Sequence, residues 1–92
     1  MENTNSGQVE IILFYTTGCE SCKAYMPIFD RAVLEMGPGV LVRKIDIDKD
    51  SSLNNQYNLT AVPTTLAVKN GEVLERHIGQ MLTKKLKKLA TL

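Results

Sequence analysis

Tryptophan is absent from this chain, histidine occurs once and cysteine twice in 92 residues. Two cysteines and one distant histidine are too few to close a four-ligand metal site, so zinc or an iron–sulfur cluster would require a second copy of the chain. Charge of one sign is also lacking: 11 lysines and arginines against 10 aspartates and glutamates leave a net +1. That balance gives no bulk attraction to nucleic acid or to an acidic surface. No apolar stretch reaches the roughly 18 residues of a transmembrane helix. Met1-Glu2-Asn3-Thr4-Asn5-Ser6-Gly7-Gln8 lacks the basic-then-apolar pattern of a signal peptide. Residues 1–8 carry no motif and read as a flexible leader. These absences point to a cytoplasmic protein with no nucleic-acid or membrane partner, and nothing in the pattern asks for an obligate dimer. In a reducing compartment, two neighbouring cysteines are more often catalytic or metal-binding than a structural bridge.

What is present is an ordinary globular composition, 43% hydrophobic and 23% charged, enough for one domain with its own core over residues 9–92. Its focus is Cys19-Glu20-Ser21-Cys22. The preceding run, Val9 to Tyr15, is rich in β-branched and aromatic residues and predicts a strand covered on both faces. After it, Cys22, Tyr25, Met26, Phe29, Ala32, Val33 and Met36 recur at the period of an amphipathic helix. The spacing predicts a helix from Glu20 to about Met36, kinked at Pro27 and stopped by Gly37-Pro38-Gly39. Cys19 then sits at a helix N-terminus, where unpaired N–H groups and the macrodipole stabilise an anion such as the thiolate nucleophile of disulfide exchange.

The rest of the chain reads as scaffold. A second strand is expected over Val40–Asp46. Asp48 to Ser52 supplies cap residues, and Leu53 with Tyr57 predicts a short helix. A third strand is expected over Thr65–Val68. Asn70-Gly71 then signals a hairpin into a fourth strand over Glu72–Ile78. Thr83 is the expected N-cap of a closing helix, with Leu82, Leu86 and Leu89 inward and Lys84, Lys85, Lys87 and Lys88 in solvent. The order β-α-β-α-β-β-α predicts an α/β fold, a four-stranded mixed sheet with helices on both faces.

From about Val9 to Leu92 the chain resembles the thioredoxin superfamily. After the Cys-x-x-Cys pair, Lys23 and Pro27 stand where thioredoxins carry a lysine and a proline. Lys44-Ile45-Asp46-Ile47-Asp48 resembles their second-strand segment. Val62-Pro63-Thr64 resembles the cis-proline loop that lies against the two cysteines, Lys69-Asn70-Gly71-Glu72 the hairpin, and Gly79 the glycine before the last helix. The departures are specific. Thioredoxins usually have Trp-Cys-Gly-Pro-Cys, and here Gly18-Cys19-Glu20-Ser21-Cys22 replaces it. Leu13 takes the position of a buried aspartate that moves a proton to and from the second thiol. The family's extra N-terminal strand and helix have no counterpart upstream of Val9. Shortness and the Tyr15-Thr16-Thr17 lead-in lean toward glutaredoxins and the small thioredoxin-like proteins of archaea and bacteria, but Asn70-Gly71-Glu72-Val73 does not match the glutathione-holding Gly-Gly and aspartate of glutaredoxins.

The resemblance implies a thiol-disulfide oxidoreductase, without cofactor or metal, that reduces protein disulfides and is recharged by a thiol donor of thioredoxin reductase type or by glutathione. Cys19 is the expected nucleophile and Cys22, one helical turn on, the resolving thiol. Gly18, Glu20, Ser21, Val62 and Pro63 are the expected substrate contacts, Val62 through its backbone. Lys44 is a candidate for helping Cys22 lose its proton, or else a solvated lysine. Ile78-Gly79 would border the substrate groove, and His77 reads as a surface residue. Three alternatives stay open: a glutathione-coupled enzyme, a metal site closed by dimerisation, and a binding module without turnover.

Overall fold

The run Val9–Tyr15 forms strand β1 in the computed structural model, which describes residues 7–92. It is followed by helix α1 (Glu20–Leu34), strands β2 (Val40–Asp46), β3 (Thr64–Lys69) and β4 (Glu72–Ile78), and helix α2 (Thr83–Leu89). The sheet order is β2-β1-β3-β4. β1 pairs parallel to β2, from Val9 opposite Val40 to Tyr15 opposite Asp46, and antiparallel to β3. β3 and β4 form the hairpin. Asn70 and Gly71 take the two positive φ values, 54° and 82°, that a two-residue hairpin turn requires. Of the expected leader, residues 1–6 lie outside the described residues. The Gly7 N–H donates to Asn70 Oδ1 at 3.2 Å and the Gln8 amide to the Gly39 carbonyl at 3.4 Å.

Because successive strand residues point to opposite faces, β1 divides the core in two. Val9, Ile11 and Leu13 pack with Ala67 against Tyr25, Phe29 and Ala32 of α1, and against Met81, Leu86 and Leu89 at the chain's end. Ile12 and Phe14 pack on the other face with Ile45, Tyr57, Leu66 and Val68. Both helices therefore cover the same face, contrary to the expectation that they flank the sheet. The second face is closed by the connection between β2 and β3, through Ile47, Leu53, Tyr57, Leu59 and Val62.

The short helix expected in that connection does not form, so the order is β-α-β-β-β-α. Its backbone bonds have mixed spacing: Asn54 N–H to Ser51 O, Tyr57 N–H to Leu53 O, Asn58 N–H to Asn55 O and Leu59 N–H to Asn54 O. A helix repeats the four-residue step instead. Serine and asparagine side chains compete for the backbone and favour turns. Asp50 illustrates this, its carboxylate accepting from both the Ser52 N–H and hydroxyl at 3.0 and 2.7 Å. Asn58, at φ 52°, ends the segment.

Smaller differences lie at element ends. α1 passes through Pro27 as one helix and stops at Leu34, the Glu35 N–H donating to the Ala32 carbonyl at 3.0 Å and the Met36 N–H to the Val33 carbonyl at 3.1 Å. β3 is one residue longer at each end than expected. α2 begins at Thr83, so Leu82 is the N-cap, with no side-chain cap bond. Leu82 is consequently 75% exposed, and Met81, 6% exposed, fills the inward position. Leu86→Ala should cost about 2–5 kcal/mol in urea unfolding, as truncation of a fully buried leucine does. Leu82→Ala should fall within about 0.5 kcal/mol; comparable losses in both would contradict this placement of α2.

Candidate active site

Strand β1 ends at Tyr15, and Thr16 to Gly18 turn the chain into α1. Cys19 is the N-cap of that helix, extended at φ −94° and ψ 116°, and its sulfur accepts the Cys22 N–H at 3.0 Å. The Cys19 carbonyl accepts the Lys23 N–H, also at 3.0 Å, and so begins the helical ladder. An oxygen side chain usually fills this role. Here a sulfur fills it, and a thiolate would gain most, since hydrogen bonds to an ionised acceptor are stronger than those to a neutral one.

Both cysteines are free thiols, Cys19 half-buried and Cys22 only 2% exposed. Burial, foremost, and then the bond to the Cys19 sulfur push Cys22 up to about 11, against a smaller opposing effect of the Thr16 backbone. The two thiols are thus unequal. One is reachable and held by a helix N–H; the other lies beneath it and keeps its proton at neutral pH.

Against them lies the segment before β3. The Val62–Pro63 peptide bond is cis. The Val62 carbonyl oxygen is 4.0 Å from Cys19 Sγ, and Pro63 is fully buried. The Gly79 N–H donates to the Pro63 carbonyl at 2.8 Å, and the Thr64 hydroxyl to the Ala61 carbonyl at 2.6 Å. Behind the site, Tyr25 of α1 and Thr65 of β3 share a buried hydrogen bond of 2.9 Å between hydroxyls. This joins the cysteine helix to the strand that follows Pro63.

The structure brings Cys19, Cys22, Val62 and Pro63 together. Gly18, Glu20 and Ser21 lie exposed on the same turn. The Glu20 carboxylate meets Lys23 at 3.4 Å in solvent, where an ion pair contributes little. Lys44 is not brought to Cys22. Its ammonium is 2.8 Å from Asp30 Oδ1 and 3.7 Å from the Met26 sulfur. Leu13, 1% exposed, belongs to the core. His77 is half-buried, its Nε2 2.9 Å from the Gln80 carbonyl. Sequence reasoning missed Gln80, whose amide donates to the Ser21 hydroxyl at 3.4 Å and so closes one side of the turn; its only signal was its place after Gly79. It also missed a cavity of about 390 Å³ at Cys22, lined by Tyr15, Thr16, Thr17, Lys23 and Met26. Among the described residues no three His, Cys, Asp or Glu side chains group as a metal site.

Two titrations check this geometry. In Cys19→Ser, the thiolate absorbance of Cys22 should rise with a midpoint above the ordinary thiol value of about 8.5, because burial, the largest cause, remains. A midpoint at or below that value would remove the inequality of the thiols. Adding Lys44→Gln should leave the midpoint where it was, whereas a rise would show that the lysine acts on Cys22 after all.

Residues 2–91 match the family model for thioredoxin. Mouse mitochondrial thioredoxin is 35% identical over 75 residues, 82% of this chain and 45% of that protein. Bacillus subtilis thioredoxin is 33% identical over 66 residues, 72% of this chain and 64% of that protein. The chain thus spans about half the length of the mitochondrial relative and under two thirds of the bacterial one. Fasciola hepatica thioredoxin superposes with a TM-score of 0.83 at 28% identity, over 95% of this chain and 82% of that one. The expected mixed four-stranded thioredoxin fold is therefore present, with the two helices described above. From the matched family model, the identity to thioredoxins and the shared fold, the chain belongs to the thioredoxin family.

Proposed function

We propose that the chain is a thiol-disulfide oxidoreductase that reduces protein disulfides through a Cys19/Cys22 couple. The observation that carries this reading is the pairing of a half-buried N-cap sulfur, fed by the Cys22 N–H at 3.0 Å, with a buried second thiol on the next turn. The similarity to thioredoxins supports it. Cys19, as thiolate, attacks one sulfur of the target disulfide, and the other sulfur leaves with the electron pair. A mixed disulfide remains. Cys22 then gives up its proton and attacks the Cys19 sulfur, the Cys19–target bond breaks, and the target leaves fully reduced. Two electrons have passed to the target, and the protein holds one disulfide.

Val62 lies just outside the β3 ladder with its carbonyl facing Cys19. It offers backbone to an extended target segment, an arrangement that reads main chain for affinity. Gly18, Glu20 and Ser21 on the exposed turn, with the buried Pro63 behind, would border that segment. A thiol donor of reductase type would restore the dithiol. The proposed setting is the cytoplasm, where small thiols keep such a couple reduced.

The test is reduction of insulin disulfides by dithiothreitol with catalytic amounts of the protein. The wild type should accelerate precipitation of the released chain. Cys19→Ser should be inert, and Cys22→Ser, reduced beforehand and mixed with insulin after the dithiothreitol is removed, should accumulate a covalent mixed disulfide with the target. Acceleration by Cys19→Ser, or no adduct with Cys22→Ser, would contradict the assignment of roles.

A further inference from the structure

Resolution of the mixed disulfide requires Cys22 to lose a proton, and the side chains around it leave the acceptor unassigned. Burial, the largest cause of the upward push on Cys22 in the dithiol, persists when the Cys19 sulfur is bonded to the target, so the thiol still needs an acceptor. The strand beneath it contributes Leu13, apolar and 1% exposed. The titratable groups on the surrounding elements have partners of their own: Asp46, 9% exposed at the end of β2 opposite Tyr15, accepts the Asp48 N–H at 3.0 Å. Glu20 and Lys23 of α1 pair with each other at 3.4 Å, Lys44 of β2 is held by Asp30 at 2.8 Å, and His77 of β4 lies against the Gln80 carbonyl at 2.9 Å. Ala61-Val62-Pro63-Thr64 carries no titratable side chain. Tyr15, at the end of β1, and Lys23 also wall the cavity. Among the described residues, the groups that act on Cys22 are Cys19 and the Thr16 backbone.

What does reach Cys22 is the cavity of about 390 Å³ between the end of β1 and the first turns of α1. Its lining includes Cys22, Met26 and the Thr16-Thr17 turn, but neither Cys19, Val62 nor Pro63. A target seated against Val62 would therefore leave it open. At about 30 Å³ per water, it has room for several waters or for a molecule the size of imidazole. We infer that this cavity is the proton outlet of the resolving thiol, a site that takes water or a small uncharged nitrogen base. The inference rests on the dithiol reading above.

The base takes the proton of Cys22, the sulfur's electron pair forms the bond to the Cys19 sulfur, and the Cys19–target bond breaks. The target sulfur leaves as a thiolate and is protonated by solvent. The Lys23 ammonium on the cavity wall disfavours a base that already carries positive charge. Since no side chain among the described residues is fixed in place as acceptor, the supply of base through the cavity limits the rate of resolution.

The experiment uses the reduced wild-type protein and a symmetrical nitrobenzoate disulfide whose released thiolate is coloured. Stopped-flow mixing gives one colour phase as Cys19 attacks and a second as Cys22 resolves the adduct. Imidazole, raised at constant pH and ionic strength, should speed the second phase about tenfold, short of the roughly 10²–10⁴ that a positioned general base supplies. The first phase should not respond. A bulky tertiary amine of matched basicity should have little effect, and Thr17→Trp, which narrows the cavity, should lose the imidazole response. A second phase indifferent to imidazole, or equally sensitive to the bulky amine, overturns the outlet. Absence of the second phase altogether overturns the dithiol reading, and the outlet with it.

Discussion

The burial of β1 on both faces is the constraint on which the rest depends. Ile11, Ile12 and Phe14 have no exposure and Leu13 has 1%, so consecutive residues must each find apolar cover on opposite sides. Two helices provide it on one side and an irregular connection on the other. With β1 fixed between β2 and β3, its C-terminal end at Tyr15 is a stationary point, and the turn leaving it sets where α1 begins. The N-cap sulfur inherits its position from the core rather than from the loop. Burying such side chains stabilises by roughly 1.5–3 kcal/mol each, far more than the surface ion pairs contribute.

That placement makes two chemically identical groups unlike. Cys19 stands where backbone N–H groups converge, and Cys22, one turn further, points into the packed side of the helix. The Tyr25–Thr65 hydrogen bond holds the helix to the strand that follows Pro63, and the Gly79–Pro63 bond ties in the end of β4. Three separate parts of the chain thus fix the distance from Cys19 to Val62. A site of this kind needs rigidity more than acid–base side chains, because the sulfur supplies the chemistry.

Much of this was legible in the sequence because the signals were local. Val9–Tyr15 announced a strand buried on both faces, Asn70-Gly71 a hairpin, and the two cysteines stood where strand period gave way to helix period. The layering was not legible. Ile11 and Leu13 are no more apolar than Ile12 and Phe14, so nothing in β1 says which face the helices take. The helix expected around Leu53 and Tyr57 was read from two apolar residues at helical spacing, and the turn held by Asp50 and Ser52 just before them does not start a four-residue ladder. A one-residue difference in where α2 begins exchanged Leu82 for Met81. Gln80 meets Ser21 across 59 positions of sequence, a contact that no local pattern encodes. Lys44 lies on β2 as expected, but Asp30, half-exposed on α1, competes for it.

The most direct measurement is the equilibrium of the Cys19/Cys22 couple against glutathione and dithiothreitol buffers, read by mass after trapping free thiols. A single two-electron transition to an intramolecular disulfide, near about −270 mV as for thioredoxin-type reductants, is the expected result. Failure to form that disulfide at any poise would contradict the assignment of the pair as a redox couple.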